Sequence, residues 1–278
     1  MLSILFWNLR GNDTTTWASR VPTLRTHLMR LAESLGIDVL LLAESGFDPA
    51  DILDALNGGR PGAFHYPASN SRRIQLFTRL SASAVIDQFN DSSDGRLTIR
   101  RLTTSSDRQI LLAALHLQSQ MYWTVEQQAL QATVVRQDIV QTEDIVGHQR
   151  TVLIGDLNMN PFDLGLVGAQ ALNAVMTRDV ALREERTVAD RPYRFFYNPM
   201  WGCFGDRTPG PAGTCFHSAS SHFWSIFDQV LLRPALMDHL AELRIVDGDG
   251  QESLLTERGR PRASEVSDHL PLLVRLDI

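Results

Sequence analysis

The residues of this chain best suited to chemistry stand where apolar runs end. Gly155, Asp156, Leu157 and Asn158 follow the run 151–154, while Ser267, Asp268 and His269 precede the last run, 272–276. Asn8 closes the run that opens the chain, Glu44 closes 37–43, His116 lies near the close of 110–117, and Asp228 sits at the start of 227–232. Functional side chains collect at such strand ends. This mixture of carboxylates, amides and imidazoles suits the hydrolysis of a phosphoester. The oxygens of a phosphodiester repel a nucleophile, so a catalyst must neutralise their charge, activate water and stabilise the oxygen that leaves. An oxygen-rich donor set favours Mg2+ or Mn2+ for the neutralisation.

Taken singly, each of these residues has a plainer reading. An aspartate after a strand is usually a turn residue or a helix cap. A lone histidine such as His116 is usually a hydrogen-bonded core side chain. Asn8 and Asp228 also read as structural hydrogen-bonders. The Gly-Asp-Leu-Asn context reverses the plain reading for Asp156, and Glu44 is costly after so apolar a run unless a cation meets it. Asp163, after Met159-Asn160-Pro161-Phe162, reads as the cap of a following helix.

The elements that must position these groups follow from periodicity. Residues 2–7 read as a buried strand and 17–35 as a helix stopped by Gly36. A core strand follows at 37–43, and Asp48 with Pro49 opens a short helix. Short strand-like runs then come at 74–78, 84–89, 97–102 and 110–117, parted by polar turns, which predicts a mixed sheet. A helix over 125–146 leads to the strand 151–154, with further strands at 227–232, 243–246 and 272–276. Residues 191–222, rich in Gly, Pro and aromatics, read as a long functional loop. Ten of the 21 aromatic residues fall within 193–227, either as a packed satellite core or as a stacking surface.

Composition narrows the classes. With 278 residues and 44% apolar content the chain is expected to build one domain over 1–278. A net charge of −6 argues against coating nucleic acid by bulk electrostatics and leaves room for a local basic groove. The sequence has no lysine, so its 26 cationic residues are all arginine; Arg72, Arg73, Arg96, Arg100 and Arg101 read as solvated strand faces. Cys203 and Cys215 are too few for a disulfide scaffold. No run approaches the ~20 residues that span a bilayer, so a cytoplasmic protein without a membrane partner is expected; the sequence leaves the oligomeric state open, with a monomer favoured.

The ordered pieces Trp7-Asn8, Leu42-Ala43-Glu44, Gly155-Asp156-Leu157-Asn158 and Ser267-Asp268-His269 resemble the endonuclease/exonuclease/phosphatase family, over Trp7 to His269. That resemblance implies an α/β fold, a four-layered sandwich of two packed mixed β-sheets flanked by helices. It implies a metal on Glu44, helped by Asn8 and Asp268, and His269 as the base, oriented by Asp228. It assigns Asp156 and Asn158 to holding the nucleophile or a second metal and contacting the phosphate, and His116 to a phosphoryl oxygen or the leaving group. The implied reaction is Mg2+- or Mn2+-dependent hydrolysis of phosphodiesters, with nucleic acid as the substrate. Two alternatives stand beside it: a phosphatase or phosphodiesterase acting on a small-molecule or lipid phosphoester, and a non-catalytic binding module on the same fold.

Overall fold

The computed structural model describes residues 1–58, 63–69, 71–89, 94–206 and 210–278. The chain runs β1 (Leu2–Asn8), α1 (Thr14–Ser34), β2 (Val39–Ala43), α2 (Pro49–Asn57) and β3 (Ile74–Thr78). A meander follows, β4 (Val85–Phe89), β5 (Leu97–Thr103) and β6 (Gln109–His116), and α3 (Val125–Val146) returns the chain to β7 (Thr151–Asp156). Next come α4 (Leu164–Val167), β8 (Ala174–Val175), α5 (Arg178–Ala181), β9 (Glu185–Val188), β10 (Arg191–Arg194) and β11 (Phe196–Tyr197). The last strands are β12 (Cys215–Phe216), β13 (Trp224–Ser225), β14 (Asp228–Leu232), β15 (Leu240–Ile245) and β16 (Leu272–Leu276).

Two mixed sheets carry the architecture, a five-stranded one in the order β15-β16-β1-β2-β3 and a seven-stranded one in the order β4-β5-β6-β7-β14-β11-β8. Pairing within them is antiparallel except for β1 with β2, β6 with β7, and β8 with β11. Alternation along each strand decides which side chains meet where. β6 sends Ile110, Leu112 and Ala114 into the core between the sheets, and Leu111, Ala113 and Leu115 under α3. α3 answers with Ala132, Val135 and Ile139, while α1 lays Leu24, Leu28 and Leu31 on the five-stranded sheet. These spacings put each set on one helix face. Helix, sheet, sheet and helix thus form four layers.

Capping explains why α1 begins at Thr14, ahead of the apolar periodicity. Asp13 accepts a hydrogen bond from the Thr15 amide at 3.2 Å. α3 opens on a capping box, Thr124 with Gln127, and closes on Gly147 at φ 73°. β15 spans Leu240–Ile245 rather than 243–246; it is a sheet edge with half-exposed residues, and its register shifts between Leu240 and Glu242, so no regular alternation marks its start. Residues 191–222 are not one long loop. They hold β10, β11, β12 and a 3-10 helix, Pro199–Cys203, elements too short to set up a period. Arg100 is also not solvated. It is buried and donates to the Ala68 carbonyl at 3.1 Å.

Candidate active site

Three strand ends of the larger sheet place their last polar residues in one row. β6 pairs His116 with Asp156 of β7, and β7 pairs Asp156 with Asp228 of β14. All three continue the alternation that carries Ala114, Ile154 and Val230 between the sheets, so they emerge where the apolar core stops. Gly155 makes the close strand approach possible. A Cβ there, at φ 156°, would lie 2.0 Å from the Leu115 carbonyl oxygen. The smaller sheet supplies Asn8 at the end of β1 and Glu44 just past β2. Glu44 has φ 44°, an uncommon conformation for a residue with a side chain. Gly11 closes that corner, its amide donating to the Glu44 carbonyl, and a Cβ there would lie 2.2 Å from the same oxygen.

The two sheets bring these groups into contact. Asn8 Nδ2 donates to Asp156 Oδ2 at 2.9 Å. His116 Nε2 lies 3.2 Å from Glu44 Oε1 and 3.7 Å from Asp156 Oδ2. His269 Nδ1 meets Asp228 Oδ2 at 2.8 Å. Asp156, Asp228 and His269 each present a ligand atom within 4.8 Å of the others, a group able to hold a metal ion. Asn158 turns back toward Asp156: its amide nitrogen donates to Asp156 Oδ1 at 2.8 Å, and its side-chain nitrogen donates to the Leu117 carbonyl at 3.0 Å. Asp268 meets Arg10 at 3.6 Å, and its buried Oδ1 has no hydrogen-bond partner among the described residues. It lines the same cleft as Asn158, Asn160, Cys215 and His269, a cavity of about 500 Å3.

Electrostatics divide the site into two halves. Burial alone would raise the Glu44 carboxyl, but the hydrogen bond and charge of His116, with help from His269 and Asn8, hold it below the usual carboxylate range. Burial pushes Asp228 upward against its bond to His269. Burial would also lower His269, yet the Asp228 carboxylate and Cys215 outweigh it and keep the imidazole well above the usual histidine range. The His269 side chain remains 11% exposed, so the ring reaches the cleft while its partner Asp228 is fully enclosed.

Backbone clasps fix the geometry. Trp7 Nε1 donates to the His269 carbonyl at 2.9 Å, and Ser267 Oγ donates to the Asn8 carbonyl at 2.7 Å, so the Trp7-Asn8 and Ser267-Asp268-His269 pieces hold each other. Asp163 occupies the start of α4, but its carboxylate turns back to accept from the Asn160 amide at 2.7 Å, and Asn160 Oδ1 accepts from Ile226. Three positioning residues carried no sequence signal. Arg20, fully buried on α1, donates to the carbonyls of Leu9, Arg10 and Val266 and ties the two loops together. Thr214 accepts from the amides of Phe227 and Asp228, and Cys215 pairs with His269 across an antiparallel bridge. A helical arginine looks like a surface residue, and a two-residue strand leaves no period. Trp17 packs edge-on to Phe47 at 4.8 Å.

A family model described as endonuclease/exonuclease/phosphatase matches residues 5–269. The chain belongs to the endonuclease/exonuclease/phosphatase family. Among solved structures, humanized D. rerio TDP2 is 17% identical with a TM-score of 0.59, covering 100% of this chain and 99% of that one. An AP endonuclease from Archaeoglobus fulgidus is 14% identical with a TM-score of 0.58, covering 100% of both chains. The 3' phosphatase NExo from Neisseria is 17% identical with a TM-score of 0.53, again over 100% of both. No curated protein matches the chain. At these identities the likeness establishes the fold, and family membership establishes hydrolysis of phosphoesters as the reaction class.

Proposed function

We propose that this protein hydrolyses phosphodiester bonds in nucleic acid with the help of Mg2+ or Mn2+. The observation that carries the reading is the meeting of Asn8 and Glu44 from one sheet with His116, Asp156, Asp228 and His269 around one end of the sandwich. The D. rerio TDP2 complexed with single strand DNA product, 18% identical with a TM-score of 0.56, and the Neisseria NExo bound to a product DNA hairpin support nucleic acid as the substrate.

The residues fit a hard divalent cation. Glu44 offers a carboxylate oxygen 3.2 Å from His116 Nε2, Asn8 turns its Nδ2 to Asp156 while its Oδ1 accepts from the Arg10 amide at 2.9 Å, and among the described residues the buried Oδ1 atoms of Asp228 and Asp268 have no hydrogen-bond partner. Glu44 and Asn8, with Asp268, would hold the ion; bound there it supplies Lewis-acid polarisation of the phosphoryl oxygen. His269 has Nδ1 committed to Asp228, so Nε2 is the edge that takes a proton from the attacking water. Asp228 orients that ring and offsets its positive charge. Asp156 and Asn158 keep water and phosphate in line, and His116 Nε2 donates to a phosphoryl or leaving oxygen.

The test is cleavage of labelled single- and double-stranded oligonucleotides with Mg2+ or Mn2+, with EDTA, and by Glu44→Ala and His269→Ala variants. Each substitution is expected to lower kcat by about 100-fold or more, the range typical of lost acid–base or metal assistance. Full activity in EDTA, or either variant at the wild-type rate, rules the mechanism out. Cleavage of monoesters alone would keep the machinery and replace the substrate class.

A further inference from the structure

Arg10 lies just beyond β1 and touches two of the side chains assigned above to the metal. Its amide donates to Asn8 Oδ1 at 2.9 Å, and its Nε lies 3.6 Å from Asp268 Oδ2. Asp268 lines the cleft with His269, so this ion pair forms part of the cleft wall. The next residue, Gly11, donates its amide to the Glu44 carbonyl. Two consecutive residues therefore reach Asn8, Asp268 and Glu44.

The backbone fixes this placement. Arg10 has φ 52°, a conformation that residues with a side chain seldom adopt. Its carbonyl accepts from Nη2 of the fully buried Arg20 at 2.8 Å, which holds the unusual turn from the inside. Backbone of this kind persists only where its surroundings over-determine it, and it gathers at functional sites.

A positive charge so placed works against a metal. Affinity for a hard divalent cation depends on how many negative charges its ligands present, and the candidate set has two carboxylates, Glu44 and Asp268. Arg10 offsets the charge of Asp268 from the Oδ2 side and leaves the buried Oδ1, which has no hydrogen-bond partner among the described residues. The guanidinium is 40% exposed and shared, since Nη2 lies 3.6 Å from Asp13 Oδ2. Solvent screens such a pair, so the carboxylate is weakened as a ligand without being sequestered. Arginine keeps its charge at every working pH, so the effect is constant.

We propose that Arg10 is a built-in rival of the metal, which by pairing with Asp268 holds the affinity of the site for a divalent cation below what Glu44, Asn8 and Asp268 give without it. This rests on the metal-dependent reading above, and it concerns the ion, not the phosphate. Its consequence is an enzyme whose activity follows free divalent cation over a higher concentration range.

Calorimetric titration of the whole chain with Mn2+, without substrate, tests the role. Arg10→Gln keeps the length of the side chain, and Arg10→Asn suits the positive φ. Both are expected to tighten Mn2+ binding about 10-fold, the size of the Coulomb effect of a unit charge on a divalent ion a few ångströms away in a solvated setting. Arg10→Lys, which keeps the charge, should stay near the wild type. Arg10→Gln made together with Asp268→Asn should gain far less over Asp268→Asn alone, because the carboxylate it unmasks is gone. Unchanged or weaker Mn2+ binding in both Arg10→Gln and Arg10→Asn overturns the role, as does an equal gain with and without Asp268. A wild type that takes up no Mn2+ is the separate failure, that of the metal-dependent reading itself.

Discussion

At the scale of single residues, the site is a set of polar groups held where burial penalises them, each answered by a specific partner. Asp228 and His269 are the clearest pair. They titrate as a unit, since a carboxylate 2.8 Å from an imidazole stabilises the protonated ring. A base must be neutral to accept a proton, so activity is expected to rise with pH through the raised value of His269. Asp228→Asn removes the stabilising charge. The acidic limb of the pH–rate profile then moves to lower pH while kcat falls by roughly 100- to 10,000-fold. A profile that keeps its acidic limb would mean that another group carries the proton. Glu44 shows the same logic differently, since its positive φ is maintained by a corner that tolerates only glycine at position 11.

At the scale of elements, α3 is tied to the larger sheet by one enclosed cluster. Glu143 of α3 accepts from Arg233 Nε at 2.7 Å, from Arg233 Nη2 at 3.1 Å and from Thr151 Oγ1 at 2.6 Å, with Arg194 at 3.2 Å. Arg233 also donates to the Phe195 carbonyl and lies 3.9 Å over the Phe196 ring. Both Glu143 and Arg233 have fully buried side chains. Breaking such a pair strands a charge, so Arg233→Ala is expected to cost about 3–5 kcal/mol in urea unfolding. The double change Glu143→Leu with Arg233→Met should recover most of that loss, because it removes both desolvated charges. An Arg233→Ala loss under about 1 kcal/mol would show the cluster to be dispensable. Because β7 and β14 carry Asp156 and Asp228 at their far ends, this cluster anchors the strands that position the site.

At the scale of the whole molecule, the segment after β15 is stapled to α1, far away in the chain. Asp249 accepts from the amides of Gln251 and Glu252 at 2.8 and 2.7 Å, and its Oδ2 lies 2.7 Å from His27 Nδ1 and 3.3 Å from Arg30. Burial raises its carboxyl, but these bonds together hold it down to about 2. A carboxylate depressed by folding contributes stability that is full above its unfolded value, about 3.9, and is lost as pH falls through the folded one. Asp249→Asn is therefore expected to lower unfolding free energy by on the order of 2 kcal/mol at pH 5–8, a deficit that shrinks below about pH 4. A deficit that persists unchanged at about pH 3 would refute the charge origin. Among the described residues no helix is long and apolar enough to cross a membrane.

Most of this arrangement was legible in the order of residues. Continuous apolar runs announce core strands such as β2 and β7, and a 22-residue periodic stretch with capping residues announces α3. The polar residues at their ends were visible for the same reason: a buried strand that finishes on Asp156 or Glu44 leaves a charge that folding must use. The short strands β8 to β13 were not legible, because two to four residues carry no period. Arg20 and Thr214 gave no sign of a role near the site, and Arg96 read as a solvated strand face although its side chain is only 12% exposed, since an arginine reads as solvated until strand pairing puts it beside a partner. Sequence alone thus determined the longer elements, the family pattern and the candidate reactive groups, all set by local periodicity and side-chain chemistry. Tertiary structure decided the rest: which strand ends share a row, which imidazole meets which carboxylate, and which cations line the rim. Those depend on register between segments far apart in the chain, and register is an outcome of packing.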